Sequence, residues 1–524
     1  MRKLNRLSVH VLMFVAACGV SGNALAAPTQ ASIDASVDRA LVAFEVPGMA
    51  ISVVREGKLV YARGRGIVEI GSTKTVDDRT LFQIGSVSKA FTAAALAILV
   101  DDGKLDWDGR VIDYLPEFRM ADPWVTREFT VRDLLTHRSG LPLGAGDLLL
   151  FPDGNATVSD VVHALRYLKP ATSFRSQFAY DNLMYIVAGE VVARVSGMPV
   201  QDFIERRVLT PLGMSDCVAS AGRASRRAVL ATPHILVDGK LETTTSRIPD
   251  VAAAAGGITC SARSMGKWMS FILDEGVMAD GKRLISADQF GQLVKPVTLL
   301  PVPGYLAEHA GASLNAYSLG WDISTFYGQP IWSHSGGVWG MTTFIAILPR
   351  EHLAVFASDN QMSAAPRAVV NDIIDQYLRD SNAGAGQDWI QIIDDIMRKR
   401  RSDADEAVAA ARETRDVDSS ARLPLDRYVG TYHDDWYGDV KVSLGDDGQL
   451  WFSSTRNPPL QGPLEHFQYD TFIARWTDRR LHADAYVTFS LNVEGKVDGI
   501  RMKAVSPATD FSFDFRDLNL RRTE

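Results

Sequence analysis

The sequence predicts an α+β chain: a mixed helix-and-sheet domain followed by a small all-β barrel. Three observations predict it. Runs of β-formers at Ala50-Ile51-Ser52-Val53-Val54, Phe344 to Leu348 and Leu353 to Ala357 bracket a long stretch of helical patterns. After Leu378 the composition shifts: Asp380 to Gln387 are polar and Gly-rich, and Asp388 to Arg415 form a charged helical pattern. From Leu425 the hydrophobic period becomes two. At 524 residues the chain exceeds one core, and we divide it into a leader (1–26), a first domain (27–380), a charged helical linker (381–423) and the barrel (424–524).

The leader sets the compartment. Arg2, Lys3 and Arg6 precede an apolar run from Val11 to Val20, and Ala24-Leu25-Ala26 offers a small-residue cleavage site, the pattern of a secretory signal. The chain is therefore expected to be periplasmic or secreted. Val15-Ala16-Ala17-Cys18 also resembles a lipoprotein box that would lipidate Cys18, but the apolar run continues past Cys18, which favours cleavage after Ala26. No later segment approaches the ~20 apolar residues of a membrane helix. Losing three cations with the leader takes the formal net charge from −8 to −11, a mild acidity that speaks against a nucleic-acid partner. Two cysteines remain, Cys217 and Cys260, and the sequence leaves their pairing open.

In chain order, Gly57-Lys58-Leu59-Val60-Tyr61-Ala62 opens a hairpin, and Gly64, Gly66 and Gly71 belong to it rather than to a phosphate loop. Next, the apolar run Leu81-Phe82-Gln83-Ile84-Gly85 leads into Ser86-Val87-Ser88-Lys89 and an Ala-rich helix. Residues three apart share a helix face, so the Lys89 amine approaches Ser86 Oγ, and the helix N-terminus favours an oxyanion formed when Ser86 attacks. A lysine can serve as the base in place of histidine. Ser264-Met265-Gly266-Lys267 repeats the spacing, but it lies in an amphipathic helical run with Trp268, Met269 and Ile272 on one side, and we read it as a decoy.

Tyr180-Asp181-Asn182 precedes the helical pattern from Leu183 to Ser196. A tyrosine beside a lysine can relay a proton, and an amide such as Asn182 can hold a substrate carbonyl. His334-Ser335-Gly336-Gly337 reads as the edge of a buried strand, where Gly336 and Gly337 let a substrate backbone approach and a backbone N–H can join that of Ser86 in an oxyanion hole. His309-Ala310-Gly311 reads as loop, and His137 as a loop-ordering residue rather than a triad member. No Gly-x-Ser-x-Gly elbow surrounds Ser86, and no His-Glu-x-x-His pattern, Rossmann fingerprint or phosphate loop occurs; neither metal nor cofactor is expected.

These motifs resemble those of the serine β-lactamase and penicillin-binding-protein-like hydrolases, in the branch of class C β-lactamases, D-aminopeptidases and related esterases. Tyr180-Asp181-Asn182 stands for that family's second motif and His334-Ser335-Gly336 for its third. The stretch Thr130-Val131-Arg132-Asp133-Leu134-Leu135-Thr136-His137-Arg138-Ser139-Gly140-Leu141-Pro142, with Pro211-Leu212-Gly213-Met214 and Ala255-Gly256-Gly257-Ile258, extends the likeness over roughly Ile33 to Leu378. The resemblance implies a β-lactamase/transpeptidase-like domain: an antiparallel sheet flanked by helices, with Ser86 in a helical lobe and His334 on the sheet edge. It implies Ser86 as acylated nucleophile, Lys89 as general base and Tyr180 as proton relay. Asn182 would bind the substrate amide, His334 would position or polarise the substrate, and the N–H groups of Ser86 and Gly337 would form the oxyanion hole.

Where many relatives place a lysine beside a substrate carboxylate, His334 is mostly uncharged at neutral pH, so peptide or ester hydrolysis is expected over antibiotic resistance. The leading expectation is cleavage of peptide amide bonds, including D-residue peptides or linearised cyclic peptides such as microcystin. The alternatives are a carboxylesterase, a β-lactamase, or a non-catalytic receptor for cell-wall peptides; the sequence leaves the oligomeric state open.

Beyond the linker, Val440, Val442 and Leu444, the turn Asp446-Asp447-Gly448, and Leu450 and Phe452 read as one hairpin. Val487, Phe489, Leu491 and Val493, then Val497, Ile500 and Met502, read as another. Tyr428-Val429-Gly430-Thr431-Tyr432 resembles the start of a lipocalin-like appendage found on some family members. Trp436, Trp451 and Trp476 are expected in its core, the alternative being a substrate-facing surface, and the role of this domain is left open. Arg398-Lys399-Arg400-Arg401 lies among Asp394, Asp395, Asp403 and Asp405 and reads as one charged face of a solvated helix.

Overall fold

The computed structural model describes residues 28–245, 247–379 and 386–523. The leader, with both of its cleavage readings, lies outside the described residues. Strands β1 (Gly48–Arg55) and β2 (Lys58–Gly66) form the expected hairpin around Glu56 and Gly57, both left-handed at φ 49° and 70°. Along β1, Met49, Ile51 and Val53 join a cluster with Val37 of helix Gln30–Ala43 and Ile373 of helix Ala365–Leu378. Ala50 and Val54 join the opposite cluster with Met265 and Trp268 of helix Ala262–Leu273. Burial on both faces explains why the strand reads as a continuous apolar run.

Two small pairs follow in the chain: β3 (Leu81–Gln83) pairs with β6 (Thr259–Ser261), and β4 (His234–Val237) with β5 (Lys240–Thr243). The main sheet is completed by β7 (Thr298–Leu299), β8 (Asn315–Tyr317), β9 (Asp322–Phe326), β10 (Gln329–Val338), β11 (Met341–Leu348) and β12 (Leu353–Asp359). Its order is β2-β1-β12-β11-β10-β9-β8-β7, antiparallel throughout. Met49 pairs with Asp359, so the two ends of the domain are joined in the sheet.

The strand carrying His334 is not at the sheet edge: β10 lies between β9 and β11. β9 stops pairing at Ser333, however, so Gly336 and Gly337 have a strand partner on one side only, and the Ser86 turn occupies the other. The helical lobe packs around helix Ser88–Asp101, which is buried from Ser88 to Leu99. Its alanines let helix Asn182–Ser196 and the short helix Ala253–Gly256 approach closely. Cys217 and Cys260 form a disulfide.

Two further readings are corrected. His309 sits in a short helix, Gly304–Ala310, and the glycine taken as loop punctuation, Gly311 at φ 59°, is its left-handed C-cap. Helix Trp389–Glu413 is not solvated throughout: Trp389, Ile390 and Ile393 are buried against the Ala365–Leu378 helix, and only its later turns are exposed. Arg398 pairs with Asp394 and Lys399 with Asp403, each four residues apart on the helix. Among the described residues, no single helix is long and apolar enough to cross a membrane.

The C-terminal domain is a closed antiparallel barrel of β13 (Gly430–Asp434), β14 (Gly438–Leu444), β15 (Leu450–Ser454), β16 (Gln461–Gln468), β17 (Thr471–Ala474), β18 (Ala485–Leu491), β19 (Val497–Ala504) and β20 (Leu520–Arg522). Closure through β13–β20 leaves no open edge. Trp476 and Trp436 are buried, whereas Trp451 points half outward on β15 and Val493, beyond the end of β18, is exposed in the turn to β19.

Candidate active site

The chain turns sharply between β3 and the central helix. Gly85 is left-handed (φ 52°), and a 3-10 turn, Gly85–Val87, precedes the helix, so Ser86 stands just ahead of the first helical residue, Ser88. Both neighbours of this turn must be glycine. A Cβ on Gly85 would lie 2.7 Å from Gly337 N, and one on Gly336 would lie 1.9 Å from Ile84 O and 3.3 Å from Ser86 N. The two backbones therefore touch, which brings the amides of Ser86 and Gly337 to the same end of a cleft of about 440 Å³. That pairing has the form of an oxyanion hole.

Lys89 is fully buried, with Nζ 2.9 Å from Ser86 Oγ, 2.8 Å from Asn182 Oδ1 and 2.9 Å from Ala255 O. Burial pushes its ammonium down to about 7, opposed by the charges of Asp147 and Asp181. A neutral amine has two N–H donors and one lone pair. With the donors given to Asn182 and Ala255, the lone pair faces the Ser86 hydroxyl.

Tyr180 hydrogen-bonds Ser86, and burial holds its phenol well above the usual range, so it is a neutral O–H group suited to passing a proton on. Lys89 Nζ lies 4.8 Å from the Tyr180 ring centre. Beneath Tyr180, His137 packs at 4.0 Å between centroids, and its Nδ1 accepts the Asp181 N–H at 3.1 Å. His137 thus orders the Tyr180 loop and does not face Ser86.

Asn182 lies at the first turn of its helix behind the N-cap Asp181. Its amide is largely engaged by the protein: Oδ1 accepts from Lys89, and Nδ2 donates to Asp147 Oδ2 at 2.9 Å, leaving one N–H for a substrate carbonyl. His334 is also engaged. Its Nδ1–H donates to Ser335 O (2.6 Å), and Nε2 accepts from the Tyr317 hydroxyl (2.9 Å). Burial, then the Lys89 charge, pushes it down to about 3, so the ring is neutral and offers substrate no free N–H. Its place is to brace the strand and Tyr317 rather than to grip a carboxylate.

Sequence reasoning missed Asp147, Tyr317 and the barrel residues Phe511 and Ser512, which also line or support the cleft. Asp147 carried a weak signal as a lone acid in the apolar stretch Leu141 to Phe151. In the decoy, Ser264 Oγ is 3.4 Å from Asp216 and Lys267 turns away to Gly213 O, so the serine and the amine do not meet.

Residues 33–379 match the Beta-lactamase family model, and residues 414–522 match DUF3471, a domain of unknown function. The chain is 28% identical over 484 residues to the unguisins hydrolase ungD' of Aspergillus campestris, covering 88% of this chain and 86% of the relative. It is 36% identical over 219 residues to the esterase EstB of Burkholderia gladioli, covering 39% and 55%. The fold superimposes on the octameric penicillin-binding protein homologue from Pyrococcus abyssi with a TM-score of 0.60 at 20% identity, over 94% of this chain and 99% of the other. The chain belongs to the beta-lactamase family and is a serine hydrolase, with a DUF3471 barrel as its second domain.

Proposed function

We propose that the protein is exported and cleaves amide bonds of peptides through an acyl-enzyme on Ser86. One observation carries this reading: the buried Lys89 Nζ lies 2.9 Å from Ser86 Oγ with Asn182 Oδ1 and Ala255 O as its other partners, so the neutral amine can give both N–H groups to those two oxygens and turn its lone pair on Ser86. Lys89 takes the Ser86 proton as Oγ attacks the substrate carbonyl. The N–H groups of Ser86 and Gly337 receive the oxyanion, and Tyr180 delivers a proton to the departing amine. The proton on Lys89 then replaces the one Tyr180 has given up; water attacks the acyl carbon, and its proton passes through the same groups to Ser86 Oγ as the acyl–Oγ bond breaks.

Peptide substrates are supported by the cleft's shape and lining. Phe151, Trp339, Phe511 and Phe513 supply apolar walls for side chains, and Asn182 supplies an amide that reads a peptide carbonyl. The neutral His334 stands in the cleft where many relatives place a lysine, so that position carries no cation; the arginines that line the cleft are Arg247 and Arg480. D-residue-containing and linearised cyclic peptides fall within this reading. The leader's cationic start and Ala24-Leu25-Ala26 site support export.

A panel of L- and D-peptides, p-nitrophenyl esters and β-lactams ranked by kcat/KM tests the reading. Peptides should rank first for the purified mature protein. Turnover confined to esters would favour the esterase reading that the likeness to EstB supports.

A further inference from the structure

The barrel reaches the catalytic lysine. Between β19 and β20 the segment 505–519 enters the cleft, where Ser512 Oγ donates to Asp147 Oδ2 at 2.8 Å. The same oxygen accepts from Asn182 Nδ2, whose Oδ1 accepts from Lys89 Nζ, which lies against Ser86 Oγ. The backbone around Asp147 is gripped as well: Asp514 accepts the Gly146 N–H at 2.6 Å and the Leu148 N–H at 3.0 Å. Arg516 donates to Leu143 O, and Phe511 packs so closely on Gly144 that a Cβ there would meet Phe511 O at 2.6 Å. Asp147 and Asp514 are both buried, and the Oδ1 atom of Asp147 has no partner among the described residues. A buried carboxyl held at one oxygen has one defined orientation only if every bond to that oxygen is kept.

Resting on the reading that Ser86 is the nucleophile and Lys89 its base, we propose that the barrel is a working part of the active site. Ser512 is a positioning residue that acts through Asp147 and Asn182 to hold the Lys89 lone pair on Ser86. Without the Ser512 hydroxyl, Asp147 is free to turn, the Asn182 amide loses its fixed orientation, and Lys89 can bond elsewhere. Burial raises the Asp147 carboxyl to about 8, and the bonds from Asn182 and Ser512 work against that rise without reversing it. The other titratable groups around this pair are Asp181, Tyr180, Tyr185, His137, His334 and Asp514, the last coupled to Asp147 directly.

The test compares kcat, KM and the pH profile of the full-length Ser512→Ala, Ser512→Thr, Asp147→Asn and Ser86→Ala proteins on one peptide. For Ser512→Ala we expect kcat and kcat/KM to fall about 10-fold together, with KM little changed. Ser512→Thr, which keeps the hydroxyl, should restore both. Asp147→Asn, which keeps an acceptor, should leave the acid limb in place, because burial already holds the Asp147 carboxyl protonated, at about 8, through that limb. Wild-type kcat in Ser512→Ala would overturn the proposal, as would a lowered kcat that Thr does not rescue. Turnover by Ser86→Ala would instead overturn the acyl-enzyme reading itself.

Discussion

Gly336 shows how much of this chemistry rests on absent atoms. A Cβ there would lie 1.9 Å from Ile84 O, a backbone atom that cannot swing aside, so the Ser86 turn and β10 would have to separate. Gly336→Ala should therefore lower kcat/KM about 100-fold although Ser86 and Lys89 are both retained, because the two oxyanion amides no longer share one oxygen. Steady-state kinetics on the purified variant checks this. Lys89 makes a second residue-scale prediction. Its ammonium sits at about 7 and must be neutral to accept the Ser86 proton, so kcat/KM should fall about tenfold for each pH unit below 7. His334, at about 3, should add no inflection between pH 5 and 8.

Residues that carry chemistry at a short fixed spacing were legible: Ser86 with Lys89, Tyr180 with Asn182, and the His334 run with its glycines. Their supports were not. Asp147 is 35 residues from Asn182, Tyr317 is 17 from His334, and Ser512 is 365 from Asp147. Such pairs are made by tertiary packing, and no periodicity in one chain reports them.

At the scale of elements, the family-like stretch around Asp133 acquires a physical reason. Asp133 completes a capping box with Thr130 and also pairs with Arg138 and Arg175, tying the loop that ends in His137 to the loop that leads to Tyr180. Burial raises the Asp133 carboxyl, but the Arg175 and Thr130 bonds win and hold it below its usual value. The stability it contributes is thus present above the unfolded carboxyl value near 3.9 and is lost as pH falls through the lower folded value. Asp133→Asn should destabilise the domain by about 3 kcal/mol, the lower end for breaking a buried pair because Arg175 is 37% exposed. Urea unfolding at pH 7 measures it.

Strands buried on both faces and the period-two barrel hairpins were readable because side-chain alternation is local. The position of β10 was not, since strand order depends on β7–β9, which are short and weakly patterned. The buried start of helix Trp389–Glu413 was masked by the charge of its later turns.

Across the whole molecule, the two domains share one cleft. Phe511 meets the Tyr180 ring edge-on at 5.8 Å and lines the same cavity as Ser86. Phe511→Ala should widen the cleft and lower kcat/KM about 10-fold for peptides with bulky apolar side chains while sparing small ones, which a substrate series would read. The sequence announced the barrel but not the face on which it docks, because that face is set by a segment between strands with no period of its own.

The central claim is that Ser86 is an activated nucleophile. The most direct measurement is to treat the mature protein with a fluorophosphonate and locate the adduct by peptide mass mapping, with Ser264→Ala as a control. The account predicts one adduct on Ser86, formed at the same rate in the Ser264→Ala protein. Folded protein that carries no adduct, or carries it elsewhere, would contradict it.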